Sequence, residues 1–419
     1  MSKLIIIFFL FTVSFSFLKN KDIFSPSKIY LFYYFIFFLH SFLPGLPKPV
    51  YFLCFLIIFI GFVCALLESK VIKKKILAKH TIDESDKKIP KIIWLFTLIP
   101  VCAQIALINS SGGISGFLES YGSRVLAWKG KGIFVILQST GEVLNLFYFA
   151  LSLLKPRGRQ WWGLFILHTI LVLLITGFSG SRTAILGLFA QQMIIFYYLS
   201  KINIWKIASV TGLLLFFAMF LGGIREGKIK NLDLSSTENT ISEILNLSYF
   251  SYGTNPLMLI YNAKNLTLSY GKTFLSILTN LVPRKIWPEK IDSGGVFFTK
   301  NYADDMWEGA SNLTPTFIGE WIINFGWIFG ILGYLLFSTL ILFFLVKKYK
   351  AFYSKRTQIS YNQCLRLVFY LSFSWAFSGL IIGEVTNVTI NFVLTKIVPI
   401  LLLSKALSNL RTNKKIYAY

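Results

Sequence analysis

The segment VYFLCFLIIFIGFVCALL, residues 50–67, runs for its whole length without a charged residue. As a helix rising 1.5 Å per residue it would reach about 27 Å, close to the ~30 Å hydrocarbon thickness of a bilayer. The same kind of run recurs near 4–18, 29–45, 92–108, 133–154, 161–178, 183–199, 207–222, 317–345, 365–383 and 389–404. With 55% hydrophobic residues and a mean hydropathy of +0.64, the chain is too apolar for a soluble core. The reading is an all-α polytopic membrane protein, one integral membrane domain over 1–419 with about 11 (10–12) transmembrane helices. The first apolar run is followed by LKNKD, with no small-residue cleavage site, so it reads as an uncleaved helix.

The formal net charge of +24 points to nucleic acid only until it is placed along the chain. Segments 18–28, 68–91, 155–160, 200–206, 347–366 and the C-terminal tail hold 26 of the 42 basic residues but only five of the 18 acids. Basic loops on alternate connections are the positive-inside pattern, which predicts a cytoplasmic C-terminus, an outer N-terminus and no nucleic-acid partner. Residues 109–132 and 223–316 then become outer loops. Cys54, Cys64, Cys102 and Cys364 lie in or beside spans without metal-ligand spacing and read as buried free thiols. No metal and no cofactor is expected.

The 223–316 loop is too long for a simple connection and is read as folded. Near 269–282, Tyr270, Phe274, Ile277, Leu278 and Leu281 recur at helical spacing with Lys272, Ser276 and Asn280 between them. This predicts an interfacial helix, ended by Pro283, with its apolar face on the membrane. LVPRKIWPEK (281–290) follows, a basic and aromatic cluster on the face that positive-inside disfavours, implying an anionic partner.

Four outer arginines carry the first chemical expectation: Arg124, Arg182 in SGSRT, Arg225 and Arg284, with Lys285 beside the last. A guanidinium offers a planar fork of donors suited to diphosphate. Arg182 sits where Gly and Ser break two apolar runs, placing it at a tight turn next to a helix N-terminus. The second expectation is a base. With only three histidines, carboxylates lead, and Glu320, Asp304 and Asp305 are the candidates. Trp287 and Trp307 are candidates for sugar or headgroup contact. Gln138, Glu142 and Asn145 form a polar stripe facing the bundle interior, and Lys396 lies inside the last span, a partner for Glu142 or a snorkelling cation.

SGSRT between two helices, then SYGKTFLSILTNLVPRKIWPEK and GASNLTPTFIGEWIINFGW (309–327), resembles the oligosaccharide repeat unit polymerases, the Wzy-type O-antigen polymerases. The matching stretches, 179–185 and 269–327, cover about a quarter of the chain. The resemblance implies a polymerase/ligase architecture of the GT-C-like kind in the bacterial inner membrane. It implies an enzyme that acts at the periplasmic face on undecaprenyl-diphosphate-linked oligosaccharide, alongside a chain-length regulator and a flippase. It places diphosphate binding on Arg182 and Arg284, with Arg124 and Arg225 as further members, and assigns no base.

Other classes compete. A lipid-linked oligosaccharide flippase or another transporter explains the helix count and the arginines but does not require a long folded outer loop. A Mg²⁺-dependent prenyl-diphosphate transferase would use the acids around Asp304 but needs a second cluster. An O-antigen ligase uses a similar donor and differs in acceptor.

Overall fold

The computed structural model describes residues 1–68, 88–120, 128, 130–154, 157–178, 182–200, 250–282, 286–303, 313–354 and 361–416. Every element among them is helical. In order they are α1 (Ser2–Lys19), α2 (Pro26–Phe37), a 3₁₀ turn (Leu39–Phe42), α3 (Lys48–Glu68), α4 (Ile89–Ser110), α5 (Gly113–Glu119), α6 (Gly132–Gln138), α7 (Thr140–Leu154), α8 (Arg159–Phe178) and α9 (Arg182–Leu199). Then come α10 (Thr254–Asn262), α11 (Lys272–Thr279), α12 (Gly294–Tyr302), α13 (Phe317–Ser354), α14 (Tyr361–Leu380), α15 (Val385–Phe392), a π turn (Val393–Ile397) and α16 (Val398–Ile416).

Among the described residues, seven helical stretches are long and apolar enough to cross a membrane, so the chain is a multi-pass membrane protein. The expected span at 29–45 is instead α2 plus the 3₁₀ turn, because the helix starts at Pro26 and breaks after Phe37. Residues 133–154 are two helices that meet at Ser139. The expected span at 207–222 lies outside the described residues. Cys54, Cys64 and Cys364 are buried, but Cys102 is exposed on α4, on the outward face of an apolar helix.

The chain divides into two compact units. One comprises residues 1–73, 227–353 and 373–390; the other comprises 74–226, 354–372 and 391–419.

In the first unit, α1, α2 and α3 pack through aromatic rings, with Tyr34 stacked on Phe38 at 5.0 Å and Phe8 on Phe55 at 4.3 Å. One end of this packing is polar. Lys28 Nζ donates to the carbonyls of Asn20 (2.8 Å) and Ser16 (3.3 Å), Glu68 accepts from the Ser27 hydroxyl at 2.8 Å, and the Tyr349 hydroxyl donates to Asp22 at 2.7 Å. Lys28, Asp22 and Glu68, counted from the sequence as loop charges, are therefore buried and hydrogen-bonded. Buried charge survives only when so paired.

The long helix α13 is a hairpin. Phe317 and Tyr334 have ring centroids 5.4 Å apart, although seventeen residues of straight helix would separate them by about 25 Å. The chain reverses at Gly326 (φ 76°, ψ 179°), a conformation open essentially to glycine alone. Residues 317–325 thus form a short limb folded back on a longer apolar limb, whose Ile328, Phe329, Leu332 and Leu336 point outward. The tip is closed by the preceding loop: Ser269 and Tyr270 N–H donate to the carbonyls of Ile323 (2.9 Å) and Asn324 (3.1 Å), satisfying acceptors that a helix end leaves unpaired.

In the second unit, Asn145 sits at the centre of a polar network. Its amide donates to His168 Nδ1 and Thr169 Oγ1 at 3.0 Å each, and its carbonyl accepts from Gln192 at 2.7 Å. His168 Nε2–H is left to donate to Thr97 Oγ1 at 2.9 Å. Lys396, on the π turn, pairs with Glu142 at 2.7 Å. The polar stripe of Gln138, Glu142 and Asn145 is buried, as its spacing predicts.

Candidate functional site

The first unit holds a second polar interior, built by four elements around two glutamates. The short limb of α13 supplies Glu320. Its entry is Thr316, which has φ +65°, unusual for a β-branched residue, and whose Oγ1 accepts from Gly319 N–H at 3.2 Å. One turn in, Glu320 is fully buried. Its Oε1 accepts from the Thr273 hydroxyl at 2.9 Å and its Oε2 from Val385 N–H at 2.6 Å. Asn324, one turn further on, donates to Thr273 Oγ1 at 2.7 Å, so carboxylate, hydroxyl and amide lock one another.

Glu384 comes from the turn joining α14 to α15. It is 1% exposed, and its Oε2 accepts from Gly295 N–H near the start of α12. Each carboxylate thus meets a backbone N–H at a helix N-terminus, Glu320 at α15 and Glu384 at α12, where the helix dipole favours negative charge. The two are near enough to repel each other. Burial pushes the Glu384 carboxyl above the usual carboxylate range, and the Gly295 N–H and the Ser293 hydroxyl oppose the rise. Its Oε1 is buried with no hydrogen-bond partner among the described residues, and the same is true of Asn324 Oδ1.

The pair Gly294–Gly295 makes this packing possible. A Cβ on Gly294 would overlap the Glu320 carboxyl, and one on Gly295 would lie 2.9 Å from Glu384 Oε2 and 3.0 Å from the Leu313 carbonyl.

The fourth wall is α11, which turns its hydroxyl face to the interior and its leucines outward. Thr273, Ser276 and Thr279 point inward, Ser276 bonding the Thr386 hydroxyl at 2.7 Å. Leu275, Leu278 and Leu281 point outward, Leu278 being 79% exposed. Phe274 packs on Trp321 at 4.9 Å. The hydroxyls turn in because the buried carboxylate and Thr386 need donors, and the leucines turn out because nothing in the described unit covers them. Beyond α11, Lys290 Nζ donates to the carbonyls of Asn280 (3.1 Å) and Val282 (2.9 Å), tying the last residue of LVPRKIWPEK back to its start.

Of the residues singled out from the sequence, Glu320 lies in this interior and Trp287 is half-exposed on the surface. Arg182 is the first residue of α9, where its backbone is described. Arg124, Arg225, Arg284, Lys285, Asp304, Asp305 and Trp307 lie outside the described residues. Glu384 was missed. The available signal was a lone acid in IIGEVTN, between two apolar runs, and an SGG triplet at 293–295 able to approach a side chain closely.

A family model described as "Putative O-antigen polymerase" matches residues 2–362. No curated protein and no solved structure matches the chain.

Proposed function

The chain belongs to the O-antigen polymerase family, and from that premise we propose that it joins undecaprenyl-diphosphate-linked oligosaccharide repeat units by glycosyl transfer at the periplasmic face of the inner membrane. The terminal hydroxyl of one lipid-linked repeat unit attacks the anomeric carbon of the donor glycan. The bond from that carbon to the diphosphate oxygen breaks, its electron pair leaving on undecaprenyl diphosphate, and the hydroxyl proton passes to a carboxylate. Arg182 and Arg284, with Arg124, Arg225 and Lys285, are the proposed diphosphate ligands, since guanidinium forks stabilise charge building on a leaving group. The outward leucines of α11, with exposed Ile286 and half-exposed Trp287, would hold this region at the hydrocarbon and headgroup boundary.

The observation that carries the reading is the buried carboxylate pair. No lysine, arginine or histidine pairs with either glutamate among the described residues, and an unpartnered acceptor oxygen remains. Such a site fits proton removal from a sugar hydroxyl better than a structural ion pair.

The test is complementation of a strain deleted for this protein with Arg284→Ala and Arg284→Lys, scoring the surface glycan ladder with membrane expression confirmed. Single repeat units on the lipid A core with Arg284→Ala support polymerisation through Arg284, and lysine should restore little where a bidentate fork is needed. A normal ladder reduces Arg284 to a headgroup anchor. Loss of even the single unit points to ligation or flipping.

A further inference from the structure

We propose that Glu384 is the general base of the transfer and Glu320 the positioning residue that holds it, an assignment that rests on the glycosyl-transfer reading above. The two carboxylates differ in what they have left to give. Both oxygens of Glu320 are engaged by fixed donors, the Thr273 hydroxyl and the Val385 N–H. Accepting a substrate proton there would mean dismantling the contact that joins the short limb of α13 to the start of α15. Glu384 accepts from Gly295 N–H through Oε2, with the Ser293 hydroxyl also beside the carboxyl, and its Oε1 is buried with no hydrogen-bond partner among the described residues. A buried acceptor without a donor is uncommon and calls for an explanation. A sugar hydroxyl is a donor of the right kind, neutral and able to give up its proton where it is bound.

The surroundings agree. Facing Glu384 are the Ser293 hydroxyl and Gly295 N–H of α12 and, from α13, Glu320. The charged groups on the same walls are turned elsewhere: Lys272 is exposed on α11, and Lys300 on α12 pairs with Asp292 at 2.7 Å. Glu320 and Glu384 repel each other when both are ionised, and no described cation relieves them, the setting that makes a carboxylate pair a stronger base. In the step itself the acceptor O–H bond breaks with the proton going to Glu384 Oε1. The oxygen then bonds to the anomeric carbon as the diphosphate leaves with its electron pair. Glu320 takes no proton. It holds the Val385 N–H, and with it the adjoining Glu384, and the repulsion between the two carboxylates makes the pair more basic.

The experiment uses full-length protein in lipid nanodiscs with purified lipid-linked repeat unit, comparing wild type, Glu384→Gln, Glu384→Asp and Glu320→Gln. Monodispersity and Tm confirm folding. Glu384→Gln should lower kcat by about 100-fold or more, the scale of general-base catalysis, with KM for the repeat unit little changed. Glu384→Asp should recover part of the rate. Glu320→Gln keeps one acceptor oxygen for Val385 N–H and turns its amide to donate to Thr273 Oγ1, so it should lose at most about tenfold while the acidic limb of its pH–rate profile moves to lower pH. A purely structural glutamate would not move that limb.

Polymerisation by folded Glu384→Gln at near wild-type rate overturns the assignment, as does a Glu320→Gln that fails as completely as Glu384→Gln with no shift in profile. Failure of the polymerase reading is visible separately, as wild-type protein that moves glycan to lipid A core rather than to a second repeat unit. The Glu384 comparison is then read on that transfer.

Discussion

At the residue scale, the site depends on side chains that are absent as much as on those present. Gly294 and Gly295 let two carboxylates approach the start of α12, and any Cβ there would displace one of them. The carboxylates also set a pH dependence. Burial raises the Glu384 carboxyl in the folded state, so the fold binds that proton more tightly than the unfolded chain does. The stability contribution is fully present below the unfolded carboxyl value of about 4.3 and is lost as pH rises through the raised folded value. Glu384→Gln cannot ionise. It should therefore melt higher than wild type at pH 8, on the order of 2 °C, with the gap closing near pH 4, as measured by thermal unfolding in detergent. A variant more stable and less active than wild type is the usual sign of a residue kept for chemistry.

At the element scale, the decisive feature is the reversal at Gly326. It turns what reads as one span into a long limb and a short one, and the short limb brings Glu320 against α11 and α15. Gly326→Ala would impose a Cβ on a backbone state that costs non-glycine residues about 1–3 kcal/mol. The expected result is a lower Tm together with loss of polymerisation, while Gly379→Ala, with open space around its position, changes neither. Gln138 offers a contrast in the other unit. Both of its side-chain polar atoms are buried without partners among the described residues, a state that costs about 1–3 kcal/mol. Gln138→Leu should be neutral or stabilising in the same melting assay.

At the scale of the whole molecule, charge and apolar surface set the orientation. On the span count expected from the sequence the basic excess lies on alternate connections, and the outward surface of the long α13 limb is apolar. On the proposed topology, Ile286→Cys labels with a membrane-impermeant maleimide in intact spheroplasts, whereas Lys350→Cys labels only after permeabilisation. Both are made in a background lacking Cys102, which is exposed. Labelling of Lys350→Cys from outside would invert the topology and place the carboxylate pair on the cytoplasmic face.

The sequence by itself determined that this chain is helical and crosses a membrane several times, because a run such as 50–67 can satisfy its backbone in hydrocarbon only as a helix. It also marked Glu320, and it placed Glu142 and Lys396 as intramembrane charges in need of partners. Periodicity marked the two faces of α11 but not the Glu320 carboxylate and Thr386 hydroxyl that its hydroxyl face meets. Nor could it show the hairpin, since FGWIFG reads as unbroken apolar helix until the backbone at Gly326 is seen. Only the tertiary structure put Glu384 beside Glu320, 64 residues apart in sequence. That proximity depends on three turns, at Gly326, at 293–295 and at 381–384, whose geometry is fixed by packing and hydrogen bonding between distant segments and not by any local pattern.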